Sequence, residues 1–422
     1  MNARLCARYA IVATLTTSAL FAAPAVGQRP LSSETLLNEP AIRAALDAVR
    51  ANERDVIDEQ VRLCEIPAPP FAEQARGLAY KAVFERLGLT NVRIDAVGNV
   101  LGERPGRQPR PHLVMSAHLD TVFPAGTTVT TTRTGSTIAG PGIADDCRGL
   151  AVVLGVIRAL NASRVETAGT VTFVGTVGEE GLGDLRGVKH LFKTELAGRI
   201  DSFVSVDGAG TSITRTAVGS RRYRVTFKGR GGHSFGDFGI ANPIHALGRA
   251  IAAIAAIDVP TDPKTTFNVG RVGGGTSINA IAAETWMEID LRSSDRTSLA
   301  AVDAKITRAL DQALVDENAR WKNAGKLTID RQLVGDRPPG NTPAAAPIVQ
   351  TALRMSKAVG MDAALDEGST DSNIPMSLGV PAITIDGGGR GSGSHALNER
   401  FDSTDSWQGT ARALLLTVAL AR

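Results

Sequence analysis

Four short apolar runs, each followed closely by ionisable residues, dominate the hydrophobic pattern of the chain. Residues 113–117 lead into His118-Leu119-Asp120, 171–177 into Gly178-Glu179-Glu180, 203–206 into Asp207, and 382–385 into a glycine-rich loop before His395. The runs are rich in β-branched residues and lack polar alternation, as strands covered on both faces would. In an open α/β sheet, functional groups collect at the carboxyl ends of the strands, so residues distant in sequence can converge there. A further segment, Gly140 to Gly149, is rich in turn residues and runs into a helix whose expected apolar stripe is Leu150, Val153, Leu154, Ile157 and Leu160.

After Asp207 the pattern changes. Residues 223–227 alternate as a strand with one exposed face, and a helix follows through Ile244, Leu247, Ile251 and Ile254. Strands at 266–272 and 285–291, a helix over 298–318 and a closing strand at 327–329 complete a β-α-β-β-α-β unit of the ferredoxin-like kind. The fold class is therefore α/β: a mainly parallel sheet interrupted by an α+β insertion. The expected boundaries are 28–216 and 333–422 for the discontinuous domain that carries this sheet and 217–332 for the insertion, with the chain returning near Asp336 to Gly340.

Composition narrows the class. The 422 residues are 43% hydrophobic and 21% charged, enough for two domains with cores of their own. The net charge of +3 falls to +1 when Arg4 and Arg8 of the first 27 residues are set aside, and no basic stripe or stacking platform suggests nucleic acid. Those residues read as an export signal: two arginines, an apolar stretch from Tyr9 to about Ala23, then small residues at Ala25-Val26-Gly27, with cleavage before Gln28. The stretch falls short of the roughly 20 residues that span a bilayer, so a periplasmic or secreted protein without a stable membrane anchor is expected. Export removes Cys6 and leaves Cys64 and Cys147, too few for a disulfide framework; their pairing stays open.

Two imidazoles and several carboxylates without a thiolate pair suit zinc, manganese or cobalt better than an iron-sulfur cluster. A metal pair about 3.5–4 Å apart needs a bridging carboxylate. Asp145 is read as the bridge, with Asp146 one residue away as the alternative. A lone histidine beside a strand is by default structural, and His112, His190 and His245 are read so. Glu179-Glu180 would by default be a solvated turn, but the pair ends an apolar strand between Gly178 and Gly181. The segment Gly368 to Asn373 could place hydroxyls at a pocket or cap the segment that follows.

Six segments in order resemble the two-zinc aminoacylase and carboxypeptidase family that includes peptidase T, glutamate carboxypeptidase, carnosinase and succinyl-diaminopimelate desuccinylase. They are Ser116 to Pro124, Gly140 to Gly149, Gly178 to Gly181, Gly229 to Ser234, Gly274 to Ala280, and Ser394-His395. Cys147-Arg148 departs from the pattern, since many relatives carry Lys two positions after the bridging Asp. The resemblance implies one metal on His118 and Asp207, another on Glu180 and His395, and Asp145 bridging both. It implies Glu179 as general base toward a metal-bridging water, Asp120 as the partner orienting His118, and His233 as a carbonyl-polarising donor reaching across a dimer interface. Asn279 and Arg292 would bind a free substrate carboxylate.

The expected function is therefore metal-dependent hydrolysis of an amide in a short peptide, as a di- or tripeptidase or carboxypeptidase. An N-acyl amino acid amidohydrolase is the enzymatic alternative. A catalytically inactive peptide-binding homologue is the non-enzymatic one, against which stands the intact Glu179. A homodimer through the inserted domain is expected.

Overall fold

The computed structural model describes residues 33–422. The export signal and its cleavage point therefore lie outside the described residues. Among those described, no helix is long and apolar enough to cross a membrane.

The four apolar runs form the centre of a nine-stranded sheet. Strands Val171–Thr176, Leu113–His118, Ser202–Val206 and Ala382–Ile385 lie side by side in that order, all parallel. Every residue in these four strands is buried, which explains the continuous apolar runs. Antiparallel strands flank them, Val100–Arg104 on one side and Ile213–Ala217 on the other. Parallel alignment puts all four carboxyl ends on one edge, so His118, Glu179, Asp207 and His395 follow from that edge.

Helices cover both faces. Cys147–Ala162 packs against Glu53–Cys64 and Trp407–Leu420, and nearly all its residues from Cys147 to Leu160 are buried. The single apolar stripe expected from the sequence is thus too narrow: this helix is surrounded, with only Arg158 between Cys147 and Leu160 partly exposed. Burying a side chain such as Leu154, Ile157 or Phe173 contributes about 1.5–3 kcal/mol each.

The chain leaves this sheet at Gly219 for a four-stranded antiparallel one. Numbered by chain order within the insertion, its strands Gly219–Lys228, Thr265–Gly274, Glu284–Ser293 and Thr328–Arg337 lie in the order second, third, first, fourth. Helices Pro243–Ala255 and Arg296–Arg320 pack on it around a separate apolar core. The closing strand runs on to Arg337, past residue 332, because its polar alternation continues in pairing with Gly219–Lys228. That extension carries an arginine into the cleft between the two sheets.

Candidate metal centre

His118 is the last residue of its strand and is buried. Its Nδ1 faces the main-chain carbonyl of Asp120 at 3.0 Å. A carbonyl only accepts, so the ring proton belongs on Nδ1 and the lone pair on Nε2. Nε2 lies 3.0 Å from Asp145 Oδ1 and 3.7 Å from Asp207 Oδ1. On the other side of Asp145, His395 Nε2 lies 3.3 Å from Asp145 Oδ2 and 3.2 Å from Glu180 Oε1. Three candidate ligand groups result among the described residues: His118 with Asp145 and Asp207, His395 with Asp145 and Glu180, and His118 with Glu179 and Glu180; the first two share the Asp145 carboxylate.

Metal to donor distances of about 2.0–2.2 Å in a tetrahedral site put neighbouring donors about 3.3 Å apart. The separations here suit that spacing. The electrostatics point the same way. Hydrogen bonding to Asp145 and Glu180 pushes His395 up to about 10 despite burial. Burial opposes charge on His118, yet Asp146, Asp120, Asp145 and Asp207 together hold it well above the usual imidazole range. A cluster of carboxylates that drives both imidazoles toward protonation is one that a divalent cation would satisfy.

The two adjacent aspartates part company. Asp145 faces the histidines, whereas Asp146 is fully buried and accepts from three backbone N–H groups: His118 (2.9 Å), Gly149 (2.9 Å) and Gly208 (3.2 Å). Asp146 thereby caps helix Cys147–Ala162 and ties its start to two strand ends. Asp120 uses its carboxylate on the N–H groups of Glu179 (3.0 Å) and Glu180 (2.8 Å). It serves His118 through its carbonyl, the carboxylate being 3.7 Å from Nδ1.

His395 stands at φ 68°, a left-handed conformation that non-glycine residues rarely hold without support. Glu399, four residues on, ties the same loop to the bridging segment: its Oε1 accepts from Ala144 N (2.7 Å) and Asp145 N (2.9 Å). Burial pushes the Glu399 carboxyl up to about 7. No local pattern marks this residue, which joins segments 254 positions apart.

Glu179 is buried beside Glu180. Burial raises its carboxyl well above the ordinary range, and Arg337 opposes that rise. Arg337 Nη1 donates to Glu179 Oε1 (3.2 Å) and Ser369 Oγ (3.1 Å), and Nη2 to the Glu179 carbonyl. Arg337, absent from the sequence expectation as a site residue, is betrayed only by being a charge at the end of a strand before Pro338-Pro339.

Asp145, Glu179, Glu180, Asp207, Arg337 and His395 line a cleft of about 520 Å³ that also receives Arg292, Arg222, Ser369 and Thr370. The hydroxyls of Thr370 and Ser372 meet Thr384 Oγ1, each at 2.7 Å, so this segment serves the cleft and the sheet rather than capping a helix with its side chains.

His233 and Asn279 are elsewhere. They sit on the exposed side of the insertion, on and beside the paired strands Gly232–His233 and Ala280–Ile281, outside the lining of this cleft. His233 Nδ1 accepts from the N–H groups of Phe235 and Gly236, both at 3.2 Å, which leaves the ring proton on Nε2. Asn279 Oδ1 accepts from Ser277 Oγ at 2.6 Å. Cys64 and Cys147 are joined as a disulfide with Cα atoms 5.4 Å apart, fastening the start of the helix after Asp145 to the end of helix Glu53–Cys64.

Residues 114–419 match the family model described as peptidase family M20/M25/M40. The uncharacterized protein YqjE of Bacillus subtilis is 24% identical over 79% of this chain and 90% of its own length. The aminopeptidase PepT structure from Bacillus cereus superimposes with a TM-score of 0.70 at 21% identity, covering 88% of this chain and 99% of that one. The Bacillus subtilis YXEP protein, described as a dinuclear metal binding peptidase, gives 0.64 at 17% identity over 88% and 99%. The chain belongs to peptidase family M20/M25/M40 and is a hydrolase of that family.

Proposed function

We propose that the protein is exported and, as a homodimer holding two divalent ions per chain, zinc foremost, hydrolyses an amide bond of short peptides that carry a free carboxylate. The observation that supports this most directly is the pair of ligand groups meeting at Asp145. His118 and Asp207 would hold one ion, Glu180 and His395 the other, and Asp145 both. The ions supply Lewis acidity and lower the pKa of water at the site toward neutrality.

The rest falls to the side chains. Glu179, held by Arg337 at the rim of the ligand groups, takes the proton of the attacking water and returns it to the departing nitrogen. Asp120 keeps the His118 lone pair on the ligand side by taking the Nδ1 proton's hydrogen bond on its carbonyl. Arg292 receives the substrate carboxylate inside the same cleft. His233, with its N–H on the outward Nε2, suits donation to the carbonyl oxygen in a partner subunit's cleft, with Asn279 beside it. On this reading each cleft is completed by a second copy.

Hydrolysis assays test the proposal: metal-stripped protein refilled with zinc, manganese or cobalt, against di- and tripeptides, N-acetyl amino acids and their carboxyl-amidated forms. Metal-restored cleavage of free peptides, weaker on N-acetyl amino acids, is expected. No metal-dependent cleavage of any amide would overturn it.

A further inference from the structure

The cleft contains a second arginine that the reading so far leaves idle. Arg222 lies on the first strand of the insertion, opposite Asp290 on its neighbour, and Arg292 lies two residues beyond Asp290 on the same face. Asp290 holds both: Oδ1 accepts from Arg222 Nε at 3.0 Å and Oδ2 from Arg292 Nε at 2.7 Å. Both guanidiniums are thus gripped at Nε by one carboxylate. Arg222 Nη1 donates to the carbonyl of Gly181, the residue after Glu180. Arg222 Nη2 and both terminal nitrogens of Arg292 carry no hydrogen bond to the described residues, and both arginines line the cleft.

The arginines of this wall are unequally paired. Arg337 is spent on Glu179 and Ser369. Among the described residues, Asp290 is the one carboxylate that Arg222 and Arg292 hydrogen-bond, and they share it. Arg222 is the more enclosed of the two, with 15% of its side chain exposed against 41% for Arg292. A half-buried guanidinium with a free donor beside a second one offers charge-assisted hydrogen bonds to an anion that enters the cleft. One carboxylate has the lone pairs to accept from all three free nitrogens.

We propose that Arg222 is the second arm of a two-guanidinium clamp, aimed by Asp290, that binds a single substrate carboxylate between Arg222 and Arg292. The anchor on Gly181 fixes that clamp to the turn bearing Glu179 and Glu180. This deepens the proposed peptidase reading and rests on it for the reaction. It goes beyond that reading in assigning Arg222 and Asp290 a role in substrate selection.

The test is the preference for a free acid over its carboxamide, measured as the ratio of kcat/KM for matched dipeptides with zinc content monitored. Charged hydrogen bonds of this kind make Arg222→Met lower the ratio by about 10–100-fold, chiefly through KM. Asp290→Asn should lower it less, and Arg222→Lys should recover part of it, since an ammonium restores charge but not the fork. An unchanged ratio in Arg222→Met, whatever happens to the absolute rate, would reduce Arg222 to a latch on Gly181 and overturn the clamp.

Should the parent hydrolyse no amide, the peptidase reading fails on its own. The clamp is then judged by calorimetry on the zinc-loaded protein, using a dipeptide whose amide is reduced to CH2–NH, as acid and as carboxamide. Tighter binding of the acid by the parent, lost in Arg222→Met, sustains the clamp. Equal binding of acid and carboxamide by the parent, or the same preference in Arg222→Met, overturns it.

Discussion

Replacing Asp145 and Asp146 separately by Ala should split one acidic pair into two unlike losses. Asp146 accepts from three N–H groups, two buried and one partly buried, at 2.9, 2.9 and 3.2 Å, and caps a 16-residue helix. Its removal orphans those donors at about 1–3 kcal/mol each. Set against the relief of removing a carboxylate that burial and its neighbours push well up, the net loss should be roughly 3–5 kcal/mol. That corresponds to a fall in Tm of roughly 4–6 °C in a protein of this size. Asp146→Asn keeps one acceptor oxygen and should fall in between. Asp145, in contrast, pairs among the described residues only with the two histidines through its side chain, so Asp145→Ala should unfold near the parent temperature in EDTA. It should retain little zinc after loading and desalting. Thermal unfolding in EDTA and metal content by emission spectrometry, on both variants side by side, decide the matter. Asp146→Ala with parent-like unfolding and no zinc, beside Asp145→Ala with full zinc, would refute the assignment.

Three other outcomes are expected. Glu179→Gln should lose about 10²–10⁴ in kcat while binding zinc like the parent, and turnover near the parent rate would remove it as the base. Arg337→Met should lower kcat by about tenfold or more with little change in KM, because Glu179 loses its buried partner; a change in KM alone would place Arg337 in substrate binding instead. Asp371 is fully buried and its carboxyl is raised from 3.8 to about 6, chiefly by burial. A raised acid contributes its full stability below the ordinary pKa and loses it as pH rises through the folded value. Asp371→Asn should therefore match the parent near pH 4 and exceed it above pH 6, by at most about 3 kcal/mol; unfolding in EDTA across that range checks the crossover.

The parts legible in the sequence were those whose signal is local. A strand buried on both faces must be apolar along its length, so the four central strands announced themselves, as did the groups at their ends. The insertion was equally visible, because its strands expose one face and alternate. The cleft's arginines were harder. Arg222 and Arg337 act on residues 41 and 158 positions away, and nothing in the sequence around them distinguishes a cleft arginine from a solvated one. Glu399 was hidden for the same reason, its partners lying 254 and 255 positions distant. The neighbouring Asp145 and Asp146 could not be separated by composition, since only the course of the backbone decides which carboxylate meets the histidines. Cys64 and Cys147 needed the 5.4 Å separation of their Cα atoms, a tertiary fact.

The most direct measurement is a zinc titration of the metal-stripped protein, following bound metal and peptide hydrolysis together. Two ions per chain are predicted, with cleavage absent in the stripped protein and rising as the sites around Asp145 fill. Cleavage that persists without metal, or fewer than two ions bound at saturation with full activity, would contradict the two-ion site.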